Sequence, residues 1–157
     1  MKPNLILLLL ILLLSGVTLK AQTKEDSLAI QKVCRDYVEG WVEGNIDRVA
    51  NSMSEALVKR TIKMDQNGVC EIINMSASQI ISWTRRNKEE DKVTNVKDLE
   101  PEKDFKLDII IYDISGNFAS AKTAISKYGF FDYCHLAKFN GEWKIFNALY
   151  GPLPQEN

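Results

Sequence analysis

Apolar residues recur along this chain with two different periods, and the change from one to the other divides it into elements. Between Asp26 and Glu43, Ile30, Val33, Cys34, Tyr37, Val38 and Trp41 fall at steps of three and four. Such spacing makes one apolar stripe on a helix. Thr23 or Asp26 suits the start of that helix, and Gly44 suits its end. Asn45 then caps a short second helix carrying Ile46, Val49, Ala50 and Met53. Gly40 lies inside the stripe, where glycine weakens a helix by about 1 kcal/mol relative to alanine. Its presence there implies close packing.

Beyond Met53 the period shortens to two. LVKRTIKMDQNGVCEIINM, Leu57 to Met75, holds two alternating runs around Asn67-Gly68, a hairpin signal. Counting outward from a two-residue turn pairs Met64 with Glu71, Ile62 with Ile73 and Arg60 with Met75. Cross-strand partners share a face, so this register puts Arg60 on the more apolar side. A third helix is expected from about Ala77 to Arg86, capped by Ser76 or Ser78, with Ile80, Ile81, Trp83 and Thr84 facing inward. Asn87 to Asp104 is dominated by charge and contains Pro101, the composition of a solvated connection. FKLDIIIYDI, FASAKTAISK and two further strands then form an antiparallel meander.

The last two strands, Tyr128 to Pro152, carry polar residues among apolar ones. Asn140-Gly141 is a second hairpin turn. It pairs Leu136 with Ile145, Cys134 with Asn147, and Asp132 with Leu149. A two-residue turn at Tyr128-Gly129 adds the preceding strand, with Ile125 by Asp132 and Thr123 by Cys134. The inner face then holds Ala121, Ile125, Leu136, Trp143, Ile145 and Leu149, together with Asp132, Cys134, Asn147 and Thr123. An inward carboxylate requires a cation, several donors or a proton. Arg60 is the expected cation, and Tyr37 and Trp41 are expected donors from the helix. These residues define a cavity between helix and sheet, with Tyr37, Trp41, Arg60, Asp132 and Asn147 as its ligand-binding set. Trp83 and Trp143 are further candidate walls. Asp132 is the best candidate for catalysis; the bland alternative is a buried ion pair with no ligand. His135 points outward beside Phe131, Tyr133, Phe146 and Tyr150, which suits a dimer surface better than a general base.

Composition narrows the function. MKPNLILLLLILLLSGVTLKAQ has the layout of a secretory signal peptide, residues 1–21, its apolar run shorter than the roughly 20 residues of a membrane span. Residues 22–157 are then one domain, exported to the periplasm or secreted, with no membrane attachment after cleavage. The net charge of −1 gives no reason to expect nucleic acid. Cys34, Cys70 and Cys134 lack zinc-site spacing, and there is a single histidine. No metal or cofactor is expected. An odd number of cysteines leaves at least one thiol free or joined to a partner, and buried thiols acting as small hydrophobes is the simplest reading.

YVEGWVEGN (Tyr37–Asn45), LVKRTI (Leu57–Ile62), ASAK (Ala119–Lys122) and DYCHLAKFNGEWKIFNALY (Asp132–Tyr150) together resemble the nuclear transport factor 2-like superfamily. Within it they resemble the family labelled putative lumazine-binding, near the SnoaL-like proteins. The resemblance implies an α+β, cone-shaped fold, N-terminal helices packed in a curved, mostly antiparallel sheet. It also implies a pocket at the wide end and, often, dimerisation through the outer sheet face. Members of the superfamily include isomerases, cyclases, dehydratases and non-catalytic binding domains, and no catalytic signature of theirs transfers to these residues. The leading expectation is an exported domain that binds a small apolar or aromatic molecule, with no turnover assigned. The alternatives are a dimeric interaction module and an acid/base enzyme.

Overall fold

The computed structural model describes the backbone of residues 5–93, 106–126 and 128–154, and the side chains of 24–87, 106–126 and 128–154. Helix α1 (Leu5–Val42) and helix α2 (Ile46–Ser52) lead into strands β1 (Met53–Met64) and β2 (Cys70–Ser76). Helix α3 (Ala77–Val93) precedes strands β3 (Leu107–Ser115), β4 (Phe118–Ile125), β5 (Phe130–Phe139) and β6 (Glu142–Pro152). The strands form one six-stranded sheet in the order β2-β1-β6-β5-β4-β3. All neighbours are antiparallel except β1 and β6, which run parallel. The helices cover one face of this sheet, and the core lies between: Ile30, Cys34, Tyr37 and Val38 of α1 meet Leu57, Ala121, Ile125, Leu136 and Ile145 of the sheet.

The helical stripe is where its period puts it, but the helix starts well before Asp26. Asp26 is therefore no cap. Its carboxylate accepts a hydrogen bond from Trp143 Nε1 at 2.9 Å and an ion pair from Lys138 Nζ at 2.6 Å. The expected leader, residues 1–21, lies outside the residues whose side chains are described. α3 outruns its expected end at Arg86, and the rest of the charged connection, residues 94–105, lies outside the described residues. No helix among the described residues is long and apolar enough to cross a membrane.

Three small features set the angles between helices. Gly44 ends the regular part of α1 with φ +68°. Asn45 caps α2, accepting from Arg48 N at 3.1 Å. At Gly40, an added Cβ would stand 2.9 Å from Arg48 Cβ, so the glycine lets α2 fold back against α1. Ser76 and Gln79 form a capping box at the start of α3, with Ser76 N donating to Gln79 Oε1 at 2.8 Å and Gln79 N to Ser76 Oγ at 3.3 Å.

Candidate functional site

Two turns and one bulge decide which side chains enter the cone. In the first hairpin the loop is wider than a two-residue turn. Gly68 N donates to Asp65 O at 3.1 Å, and Asp65 N donates to Val69 O at 2.9 Å, with Gly68 at φ +80°. This is a turn followed by a glycine bulge. The Asp65 side chain fixes it by accepting from Asn67 N at 2.9 Å and Val69 N at 2.8 Å. The register becomes Met64 with Cys70, Ile62 with Ile72, Arg60 with Asn74, and Lys59 with Met75. One residue of slip reverses both faces of β1. Lys59 points inward and Arg60 outward.

The second hairpin turns at Asn140 (φ +51°) and Gly141 (φ +89°), the two-residue turn its sequence implies. Lys138 pairs with Trp143 and Leu136 with Ile145 as expected. A bulge then places Phe146 out of step, so His135 faces Asn147, Cys134 faces Ala148, and Asp132 faces Tyr150. Asn147 and Leu149 therefore lie on the outer face and Tyr150 on the inner one, the reverse of the unbulged count. On the other side of β5 the slip is two residues, with Thr123 opposite Asp132 and Ala121 opposite Cys134. An even slip preserves the face, so Thr123, Asp132 and Cys134 stay inward.

The result is a cavity of about 420 Å³ at the wide end of the cone. Tyr37, Lys59 and Asp132 carry its polar groups; Trp41, Trp83, Tyr128, Phe130 and Tyr150 are aromatic walls, with Val38, Met75 and Ile80 between them. Lys59 Nζ lies 2.8 Å from Asp132 Oδ1 and donates to Oδ2 at 2.9 Å. The ammonium also sits 4.7 Å from the Tyr150 ring centre, 5.4 Å from Phe130 and 5.6 Å from Tyr37. These are cation–π distances. Trp41 packs edge-on against Tyr128 and Phe130, with centroids 5.3 and 5.7 Å away.

Burial governs the charges here. It pushes Asp132 above its ordinary range, and the Lys59 ammonium pulls it back. Burial disfavours the Lys59 ammonium, but Tyr37 and Asp132 outweigh it and hold the amine protonated. The contact geometry is that of an ion pair, and we describe it so: a cation and an anion that cancel inside an apolar cup. Burial also raises the Tyr37 phenol, whose hydroxyl hydrogen-bonds with Lys59. Asp132 Oδ1 has the charge contact but no aligned hydrogen bond, and the Thr123 hydroxyl beside it is buried without a partner among the described residues.

Of the residues named from the sequence, Tyr37, Trp41 and Asp132 line the cavity, as does Trp83. Arg60 and Asn147 do not. They lie on the outer face, where Arg60 Nη1 donates to Asn147 Oδ1 at 2.6 Å and Asn147 Nδ2 donates to His135 Nδ1 at 2.9 Å. Trp143 is tied to Asp26 rather than to the cavity. Lys59 and Tyr150 are the residues that sequence reasoning missed. The signal for Lys59 was Asp65 three places before Gly68, the composition of a type I turn, which outranks Asn-Gly alone. Nothing in the sequence marks the bulge at Phe146. Among the described residues no three His, Cys, Asp or Glu side chains converge as metal ligands would.

A family profile described as putative lumazine-binding matches residues 25–151. No curated protein matches the chain. Among solved structures, a nuclear transport factor 2-like protein of unknown function from Shewanella baltica superposes with a TM-score of 0.58 at 20% identity, covering 83% of this chain and 96% of that one. A similar protein of unknown function from Methylobacillus flagellatus gives 0.61 at 19% identity, covering 83% and 94%. A nuclear transport factor 2-like protein with a cystatin-like fold from Novosphingobium aromaticivorans gives 0.63 at 9% identity, covering 91% and 92%. At these identities the likeness is one of fold.

Proposed function

The chain belongs to the putative lumazine-binding family of the nuclear transport factor 2-like fold, and on that premise we propose that it binds a small, neutral, aromatic molecule in the cone. The observation that carries this reading is the Lys59–Asp132 pair at the base of an aromatic cavity of about 420 Å³, within the usual size of a ligand site. The pair has no net charge, so a charged ligand would enter an apolar cup without a counter-ion, at a large desolvation cost. A neutral carbonyl avoids that. Lys59 and the Tyr37 hydroxyl offer it donors, and Trp41, Trp83 and Tyr128 offer faces on which an aromatic ring can pack.

Binding rather than turnover follows from the same electrostatics. Asp132 neutralised by Lys59 is a poor base, and a phenol raised above its ordinary range is a poor acid. The leader-like start, MKPNLILLLLILLLSG, supports export of the domain to the periplasm or beyond. Tryptophan fluorescence is a suitable readout, since Trp41 and Trp83 line the cavity. Added 1-acetonaphthone, a neutral aromatic ketone, should quench it saturably. No change in emission would count against the reading.

One observation favours a second function for the opposite face. Ile110, Tyr112, Tyr133 and Leu149 are all exposed on the outer side of the sheet, and Tyr133 stacks with Phe131 at 5.0 Å. A contiguous apolar surface of this kind suits a homodimer interface. Sedimentation velocity should show a dimer at micromolar concentration; a monomer throughout that range would refute it.

A further inference from the structure

Cys34 and Cys134 lie in the same core cluster, and neither exposes any surface. Cys34 is one turn before Tyr37 on α1, and Cys134 is two residues from Asp132 on the same face of β5. In the sheet, Cys134 is flanked by Ala121 on β4 and Ala148 on β6. Both alanines are buried and small, which allows the helix to approach this point of the sheet closely. The two thiols are hydrogen-bonded to each other. Cys70, by contrast, is exposed at the start of β2.

We propose that Cys34 and Cys134 form an intramolecular disulfide that ties α1 to β5 behind the ligand cavity. Each sulfur loses a proton and one electron as the S–S bond forms. A disulfide oxidant, protein or small molecule, takes both electrons and both protons and leaves as two thiols. The bond must form before the core closes. In the folded chain the hydrogen bond to Cys34, burial and the nearby Asp132 all push the Cys134 thiol well above its ordinary range, so little thiolate is present to react. An extracytoplasmic folding compartment is where such an oxidant is met. The bond does not depend on what the cavity holds.

The test is refolding of the full chain from denaturant in a glutathione redox buffer, with a parallel sample in excess dithiothreitol. Each sample is then alkylated under denaturing conditions and peptide-mapped without reduction. The expected product links Cys34 to Cys134, leaves Cys70 alkylated, and melts roughly 5–15 °C above the reduced chain. The C70A variant should form the same bond, whereas C34A and C134A should not. Treating the already folded, reduced protein with the same buffer should give the bond far more slowly. The proposal is overturned if Cys34 and Cys134 are both alkylated after oxidative refolding. It is also overturned if the cross-linked chain melts below the reduced one, since the bond would then strain the fold it is held to brace. Mapping on the unsubstituted chain keeps the test decisive even if C34A or C134A fails to fold.

Discussion

Lys59 and Asp132 are each tolerable inside the cone only because of the other. Removing one partner leaves a buried charge uncompensated, a loss of about 3–5 kcal/mol, whereas replacing both with apolar residues is often neutral. Lys59→Met and Asp132→Asn should each lower stability by an amount in that range. Lys59→Met combined with Asp132→Val should recover most of it, as read by urea unfolding. The double variant should nonetheless lose ligand binding, which separates the pair's role in the site from its role in the fold. Gly40 shows the same dependence on a neighbour. Alanine is the better helix former, yet its Cβ would lie 2.9 Å from Arg48 Cβ and 3.1 Å from Val49 Cγ2. Gly40→Ala should therefore destabilise by about 1–3 kcal/mol, the overpacking range, instead of gaining helix propensity.

Helix α1 is held to the rest of the fold by ion pairs near both ends of its described part. At one end Asp26 meets Trp143 and Lys138. At the other, Arg48 of α2 bonds Asp36 at 2.9 Å and Glu43 at 2.8 Å. Hydrogen bonds from Lys138 and Trp143 hold Asp26 below its ordinary value of 3.8. A carboxylate with a lowered folded pKa stabilises the fold above its unfolded pKa, and that contribution disappears as pH falls through the folded value. Thermal stability should accordingly fall below about pH 4, and Asp26→Asn should flatten that acid limb while lowering Tm at pH 7. Helices and strands were legible as periods because each buries one face along its length. The site depends on parity, which a single residue reverses. At Asn140-Gly141 the turn chemistry and the structure agree. At Asn67-Gly68 the Asp65 side chain widened the loop, and the inward cation became Lys59 instead of Arg60. At Phe146 an unsignalled bulge exchanged Asn147 for Tyr150 in the cavity.

As a whole the molecule presents two unlike surfaces on one sheet. The concave side is closed by helices and holds a neutral polar pair among aromatic rings. The convex side is open, with Tyr112 and Tyr133 at its centre, 6.2 Å apart, and Lys122 over the Phe131 and Tyr133 rings. If that side is the dimer interface, Tyr133→Glu should give a monomer by sedimentation while leaving ligand affinity within about twofold, because the cavity is on the other face.

The neutrality of the ligand site is tested most directly by varying one functional group on a fixed ring. Naphthalene, 1-naphthoate and 1-acetonaphthone can each be titrated into the protein by tryptophan fluorescence, with the Lys59→Met, Asp132→Val protein as the blank. The ketone should bind at least about tenfold more tightly than either of the others, the equivalent of roughly one good hydrogen bond or one avoided buried charge. That preference should vanish in the blank. Tightest binding by the naphthoate, or equal binding by all three, would contradict the assignment of Lys59 and Asp132 as a charge-neutral recognition pair.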